Sequence, residues 1–233
     1  MMFSHPISAI HAAPAPRTQM HGLPGSDEDP LCGRGVRVGV ARDDVLFNEG
    51  DEARSCYRIV SGAIRIVKIM ADGRRYVVDF HLPGDFVSLD SAEAHEFTAE
   101  AIVDSVLVRY ARPRVDTSLE DNPQRSRRLL QHALQRLAAA QSQMLLLGRM
   151  TATERIATFL LNLERRAGTE AAGIRAISLA MTRADIADHL GLTLETVSRM
   201  LNQLKRQGII ALPHPQRICV LKPEKLRALA VGA

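Results

Sequence analysis

Residues 182–207 read TRADIADHLGLTLETVSRMLNQLKRQ, and this pattern predicts two helices joined by a tight turn. Thr182 and Asp185 have the spacing of a capping box, in which each side chain bonds the backbone amide of the other residue. Gly191 follows the apolar positions of the first helix, and glycine accepts the left-handed conformation that ends a helix there. Thr193 is a candidate cap for the second helix. The C-terminal part of the chain is therefore expected to contain a compact pair of helices.

The second helix of this pair has an apolar face and a polar face. Val197, Leu201 and Leu204 lie at helical spacing and are expected to face inward. The residues left on the outer face, which we expect to contact DNA bases, are Leu194, Glu195, Ser198 and Arg199. A guanidinium can donate two hydrogen bonds to guanine, and a carboxylate can accept one from cytosine. This pattern is typical of a DNA-binding helix-turn-helix, and an ordinary helical hairpin with a solvated face is the alternative.

Charge is unevenly distributed along the chain, whose net charge is +4. Residues 149–233 hold 13 Lys and Arg against 7 Asp and Glu, whereas residues 1–148 hold 17 against 19. A basic C-terminal third is typical of a protein that binds a polyanion. The residues that we expect to contact the DNA backbone are Thr182, Arg183, Thr193, Lys205, Arg206 and Arg217. Such contacts position a protein on DNA without reading its sequence.

The region before the helix pair divides into an arm and a β-rich unit. Residues 1–30 contain five prolines and predict a flexible N-terminal arm. Residues 31–120 contain short alternating runs, separated by turn signals such as Ala71-Asp72-Gly73. The run from Ala99 to Arg109 alternates in the same strand-like way. Many short strands at regular spacing predict a small antiparallel β-roll or barrel.

Residues 121–148 change to a helical period, with Asn122 and Pro123 at the expected start. The apolar positions of this helix follow a heptad pattern formed by Leu130, Ala133, Leu137, Ala140, Met144 and Leu147. A seam of this length is typical of a dimerisation helix that pairs with a second copy of itself. A long helix packed only on its own domain is the alternative.

The last third of the chain, residues 149–233, predicts a winged helix-turn-helix. Thr151 and Glu154 form a second capping-box pattern. Residues 209–211 and 218–220 predict a two-stranded wing after the helix pair. The expected fold class is therefore α+β, with an antiparallel β-roll, a long dimerisation helix and a C-terminal winged helix-turn-helix.

This order of units resembles the CRP/FNR superfamily of transcription regulators, and the segment from Gly191 to Arg199 is very similar to the recognition helix of its FNR and FixK branches. Ser198 stands where the CRP branch has glycine. The resemblance implies a homodimer that reads a TTGA-N6-TCAA-like palindrome in double-stranded DNA. It also implies an activator that contacts RNA polymerase and controls oxygen-limited metabolism.

Members of the family that this chain resembles can sense signals through a cyclic nucleotide, an iron–sulfur cluster or haem, and we compare the chain with the residues that each requires. A CRP-type cyclic-nucleotide site has Gly-Glu-Leu and a later Arg-Ser or Arg-Thr pair. Here the turn is Gly84-Asp85-Phe86, and residues 93–98 include no arginine. An FNR-type iron–sulfur cluster needs four cysteine ligands, and the chain has three cysteines. His81 and His95 remain as candidate haem ligands, but we favour ordinary packing for both. We therefore expect no cofactor and no metal.

The three cysteines are scattered in sequence, which fits a reducing cytoplasm. Cys56 is expected just before a strand of the roll. Cys219 is the candidate for a redox-active thiol because the wing lies near the DNA, and a small buried hydrophobe is the alternative. No apolar run approaches the roughly 18 residues of a membrane span. An N-terminal secretion signal is also not evident. We therefore expect a cytoplasmic protein that binds no membrane.

Two functions remain open at this point, and a third is disfavoured. The preferred function is a DNA-binding regulator without a cofactor. The alternative is a member of the same superfamily whose DNA binding depends on an unidentified small ligand or on the state of a thiol. An enzyme is disfavoured because Asp79 and Asp85, the one carboxylate pair considered, flank a turn with no nucleophile nearby in sequence.

Overall fold

The computed structural model describes residues 21–22, 28–29, 32–89, 93–171 and 174–232. Its first part is built from antiparallel strands. These strands are β1 (His21–Gly22), β2 (Glu28–Asp29), β3 (Gly33–Arg34), β4 (Val36–Val40), β5 (Val45–Phe47), β6 (Ser55–Ser61), β7 (Ile64–Ile69), β8 (Arg75–His81), β9 (Phe86–Val87), β10 (Thr98–Ala101) and β11 (Ser105–Ala111). One sheet has the order β1-β4-β11-β6-β9 and a second has the order β5-β10-β7-β8. Between them lies an apolar core that includes Ile59, Ile64 and Leu107, each with no exposed surface. The predicted antiparallel roll is confirmed.

The structure adds three details to the expected β-roll and N-terminal arm. The run from Ala99 to Arg109 is two strands, because Asp104 makes a turn between them and its carboxylate accepts a hydrogen bond from the Arg42 amide at 2.8 Å. Cys56 lies inside β6 and not before it. In the expected flexible arm, His21–Gly22 pairs with β4. Glu28–Asp29 pairs with β3, and the remainder of the arm lies outside the described residues.

Two helices connect the β-roll to the C-terminal part. Helix α1 (Arg112–Glu120) was not predicted, because Val115 is its one buried residue and gives no apolar period. Helix α2 (Pro123–Arg149) begins where the sequence indicated. The side chain of Asn122 caps it by accepting hydrogen bonds from the amides of Gln124 and Arg125 at 3.0 and 3.3 Å.

The C-terminal part is a helical unit with a small sheet. Its elements are α3 (Ala152–Ala167), β12 (Gly168–Ala171), β13 (Ile174–Ser178), α4 (Arg183–Leu190), α5 (Leu194–Arg206), β14 (Ile210–His214), β15 (Arg217–Val220) and α6 (Pro223–Val231). The sheet has the order β12-β13-β15-β14, so the predicted wing has two additional strands. Both capping boxes, Thr151 with Glu154 and Thr182 with Asp185, are formed. None of the helices among the described residues has the length and apolar character needed to cross a membrane.

The β-roll and the helix pair share one packed interface. Val77 and Phe80 of β8 belong to the same buried cluster as Phe159 and Leu190 of the helical unit. The imidazole of His189, on α4, donates from Nδ1 to the carbonyl oxygen of Val77 at 3.0 Å. The position of α4 is therefore fixed by contacts with a strand of the roll as well as by its own domain.

Ion pairs at the edge of this interface converge on Asp185, whose side chain is 1% exposed. Its Oδ1 accepts hydrogen bonds from Arg65 at 3.2 Å and from Arg75 at 2.8 Å. Its Oδ2 accepts from the amide and hydroxyl of Thr182 at 3.0 and 2.7 Å. Arg75 also binds Asp188 through Nε at 3.0 Å. One carboxylate thus caps α4 and binds it to two strands of the roll.

Burial of the Asp185 carboxyl raises its pKa, but the hydrogen bonds from Thr182 and the charges of Arg65 and Arg75 outweigh that effect. The pKa of Asp185 is therefore below its ordinary value. Because the folded state binds the proton less well than the unfolded state, Asp185 stabilises the fold above the ordinary aspartate pKa. That stabilisation is lost as the pH falls through the lower pKa of the folded state.

We predict that Asp185→Asn lowers the free energy of unfolding at pH 7 by about 1–3 kcal/mol, because two partly buried guanidinium donors lose a charged acceptor. Asp72→Asn is the control, since Asp72 pairs with Arg74 at the surface, where solvent screens the pair and little effect on stability is expected. Urea unfolding measures both variants. The gap between wild type and Asp185→Asn should shrink below a pH of about 4, the ordinary aspartate value. A gap independent of pH would contradict this account.

Candidate nucleic-acid interface

The turn between α4 and α5 has the geometry that the sequence indicated. Gly191 has φ +60° and ends α4 in the left-handed conformation. The Leu192 amide then donates to the carbonyl of Ala187 at 3.0 Å. Thr193 caps α5 by accepting a hydrogen bond from the Thr196 amide at 3.2 Å. These contacts fix the direction in which α5 leaves the turn.

Helix α5 has the two faces expected of it. Val197, Leu201 and Leu204 are buried against the helical unit. On the opposite face Glu195 and Arg199 are exposed, Leu194 is 46% exposed and Ser198 is half-buried. The four predicted base-contacting residues therefore lie together on one outward surface at the first two turns of α5, which we call the recognition face (Leu194, Glu195, Ser198 and Arg199).

Two hydrogen bonds organise the recognition face. Arg183, at the start of α4, donates from Nη1 to the Ser198 hydroxyl at 3.3 Å. Arg199 donates from Nη2 to the Thr196 hydroxyl at 3.3 Å. Arg183 was expected only at the DNA backbone, yet it contacts a predicted base-reading residue. The contact between Arg183 and Ser198 could have been expected from the position of Arg183 at the N-terminus of α4, within reach of the first turns of α5.

The remaining predicted backbone contacts lie at the ends of α4 and α5 and on the wing. Thr182 and Thr193 are exposed at the starts of α4 and α5. Lys205 and Arg206 are exposed at the end of α5, and Arg217 is exposed at the start of β15 in the wing. The two carboxylates of α4 bind arginines of the β-roll. Glu195 is the single acidic residue of α5. The charge around the recognition face is therefore mostly positive, as contact with phosphates requires.

The heptad seam of α2 is exposed over most of its length. Leu130, Leu137 and Met144 are 59%, 55% and 65% exposed. Two more exposed leucines, Leu134 and Leu145, flank these positions and were not predicted. The two seam alanines, Ala133 and Ala140, are also exposed. An apolar surface of this extent on a single helix is typical of an interface with another chain.

Leu147, the last seam position, is placed differently from the others. It is half-buried and packs against the core of its own helical unit. Leu147 therefore contacts its own helical unit, and its place in the dimer seam stays a prediction.

A cavity of about 430 Å³ lies between the β-roll and α2. Its apolar wall includes Phe47, Phe86 and Leu129, and its polar lining includes Asp79 and Arg136. These two polar residues bind each other at 2.7 Å. The ion pair links strand β8 to α2 across the cavity.

Comparison with known proteins supports this architecture. Residues 154–229 match the family described as the Crp-like helix-turn-helix domain, and residues 37–122 match the cyclic nucleotide-binding domain. The chain is similar to the nitrogen fixation regulation protein FixK of Rhizobium meliloti, at 44% identity over 79% of this chain and 82% of that protein. It is 37% identical to the transcriptional activator protein FnrL of Cereibacter sphaeroides, over 73% of this chain and 71% of that protein.

The fold is similar to that of FixK2 from Bradyrhizobium japonicum, with a TM-score of 0.79 and 39% identity over 84% of this chain and 96% of that one. The chain belongs to the CRP/FNR family. Its similarity to FixK proteins confirms the predicted branch. This CRP/FNR protein is a DNA-binding transcription regulator with a helix-turn-helix.

Membership of the CRP/FNR family raises the question of a cyclic nucleotide. The described lining of the cavity does not fit one. Asp79 and Glu96 contribute carboxylates, and the guanidinium of Arg136 is already bound to Asp79. A phosphodiester needs an unneutralised cationic donor at this point, and the one arginine of the described lining is already paired. The cavity of this CRP/FNR protein is therefore unsuited to the ligand for which its domain family is named.

The histidines and aspartates considered from the sequence are packed or paired. His95 stacks on Phe47 with ring centroids 3.6 Å apart. His81 is buried, and burial lowers its pKa. Asp79 binds Arg136, and Asp85 binds Arg166. No group of three or more metal-binding side chains occurs within the part of the chain that the structure describes.

The cysteines of this CRP/FNR protein are not all scattered in space. Cys219 is half-buried in β15, where it lies opposite Ala176 and Ala211 in neighbouring strands. Cys32 and Cys56 are both buried, and their sulfur atoms are 4.0 Å apart. Their separation of 24 residues in sequence gave no sign of this contact.

Proposed function

We propose that this protein is a cytoplasmic homodimeric activator that reads a TTGA-N6-TCAA-like palindrome and controls oxygen-limited metabolism, in contact with RNA polymerase. The observation that carries the proposal is the recognition face, with Glu195 and Arg199 exposed on a capped helix in a chain similar to FixK proteins. The names of relatives support the activator role, since they include transcriptional activators such as FnrL.

The chemistry of the recognition face supports sequence reading. Arg199 can donate two hydrogen bonds to O6 and N7 of a guanine, and Glu195 can accept one from the amino group of a cytosine. Ser198 uses one lone pair for Arg183 and keeps its hydroxyl hydrogen for a base acceptor. An exposed carboxylate near phosphates is repelled unless it finds a donor. Glu195 therefore favours a face that reads bases over one that only binds the backbone.

Dimerisation is supported by the exposed seam of α2. Its leucine and methionine side chains lie on one stripe and are more than half exposed. When a second copy packs on this stripe, apolar surface is removed from water, which favours the dimer. A two-fold pair places its two recognition helices about 34 Å apart, which is one turn of DNA. A palindromic site is the consequence of that symmetry.

We predict that Arg199→Ala weakens binding to the palindrome by about 1–3 kcal/mol per half-site and relaxes the preference at the guanine of TTGA. Arg217→Ala should weaken binding to the palindrome and to a scrambled duplex alike, and reduce the salt slope by about 1 per half-site. Gel shifts over a salt series, with both duplexes, measure these effects. Lys225→Ala, on α6, serves as an exposed basic control with no expected effect.

The proposal for the half-site fails if wild type shows no preference for the palindrome over the scrambled duplex. It also fails if Arg199→Ala and Arg217→Ala lose affinity in parallel on every sequence. That second result would show that Arg199 contacts the DNA backbone and does not read a base.

We predict that Leu137→Asp converts the dimer to a monomer, because it places a carboxylate within an apolar seam between two helices. Gln135→Asp is the matched control, since it adds the same charge to an exposed position of α2 away from the seam. Analytical ultracentrifugation measures the mass, and circular dichroism checks that the fold is kept. Equal dimerisation of both variants would place the interface elsewhere.

The second candidate function is an effector-dependent regulator, and the cavity between the β-roll and α2 favours it. Its wall includes β8, the strand whose Arg75 binds α4. The preferred proposal predicts that extensively dialysed, reduced protein binds the palindrome with no small molecule added. If binding appears only after a small-molecule extract of cells is returned, the effector-dependent function replaces it.

A further inference from the structure

A buried pair of thiols lies where the N-terminal segment meets the β-roll. Cys32 is in the turn between β2 and β3, and Cys56 is in β6. The two sulfur atoms are 4.0 Å apart, and the residues are 2% and 1% exposed. The Asp29 carboxylate binds Arg58 of β6 at 3.2 Å and accepts a hydrogen bond from the Cys32 amide at 3.3 Å.

The two thiols have different surroundings. The Cys32 thiol is a hydrogen-bond partner of the Cys56 sulfur, and this bond together with the charge of Arg112 holds the pKa of Cys56 below its ordinary value. The same hydrogen bond, with burial, raises the pKa of Cys32. Because the charge of Arg112 favours a thiolate at Cys56, we assign Cys56 as the first thiol to react and Cys32 as the second.

We propose that Cys32 and Cys56 form a dithiol site that a hydroperoxide converts into an intramolecular disulfide. The Cys56 thiolate attacks one peroxide oxygen, the O–O bond breaks, and a sulfenic acid and hydroxide form. The Cys32 thiol then attacks the Cys56 sulfur and releases water, so that the S–S bond replaces the S–O bond. In total the two thiols lose two protons and two electrons, and one molecule of hydrogen peroxide becomes two molecules of water.

The geometry allows the second step with a small movement. A disulfide has its sulfurs about 2.05 Å apart, so the two atoms must approach each other by roughly 2 Å. Cys32 lies in a turn and carries no strand pairing of its own, whereas Cys56 pairs with Tyr110 of β11. The movement therefore falls on the turn and leaves the sheet intact.

The surrounding cluster connects this site to the helices. Cys32 and Cys56 pack with Tyr110 and with Val115 of α1, and Leu129 of α2 packs against the same cluster. A disulfide here would join the N-terminal segment covalently to the core that supports the start of α2. Cys219 is not part of that cluster, so the site differs from the candidate indicated by the sequence.

The test uses the full-length, reduced protein treated with hydrogen peroxide, quenched in acid with an alkylating reagent and mapped by mass spectrometry. The expected result is a Cys32–Cys56 linked peptide, a mass loss of two hydrogens, an alkylated Cys219, and reversal by dithiothreitol. Cys32→Ala should stop the reaction at a sulfenic acid on Cys56, trapped by dimedone. Cys219→Ala is the matched control and should form the linked peptide at the wild-type rate.

Three results would overturn the proposal. The first is that both cysteines remain free thiols under conditions that oxidise Cys219. The second is that Cys56 is over-oxidised while Cys32 is still alkylated as a free thiol. The third is that disulfides form only between molecules. The wild-type peptide map decides the matter even if an alanine variant does not fold. The outcome is also independent of DNA binding, since the measurement is of covalent state alone.

Discussion

The carboxylate of Asp185 is the contact on which the arrangement of the whole chain depends. One of its oxygens completes the cap of α4, and the other accepts hydrogen bonds from Arg65 and Arg75 of the β-roll. A buried charge is tolerated only where it is paired and hydrogen-bonded, so the site holds α4 at one place on the roll. Since Gly191 and Thr193 fix α5 relative to α4, the direction of the recognition face follows from this contact.

The same contact shapes the charge of the DNA-binding surface. Asp185 and Asp188 would otherwise add two negative charges to the helix pair, and both are neutralised by arginines of the roll. Glu195 is left as the single carboxylate of α5, among basic side chains. The electrostatic selectivity of the recognition face is therefore produced partly by residues more than 100 positions away in sequence.

Local signals made the helix pair predictable, and long-range contacts explain what was missed. Thr182 and Asp185 cap α4, and Gly191 ends it, through contacts with residues close by in sequence. Their roles could therefore be predicted from spacing alone. Arg65 reaches Asp185 across 120 positions, and nothing in a single sequence pairs them. Helix α1 was missed because it buries a single residue. The contact of Leu147 with its own helical unit could not be predicted from the heptad pattern, which carries no information about other elements.

Strand β8 joins the two halves of the molecule physically. Its Arg75 and Val77 contact α4, and its Asp79 binds Arg136 of α2. A strand in a packed sheet resists bending and changes of register, because either breaks hydrogen bonds and moves buried side chains. The position of α2 relative to the roll and the position of α4 are therefore set through the same seven residues. In the proposed dimer, pairing of two α2 helices would constrain β8 and, through it, the spacing of the recognition faces.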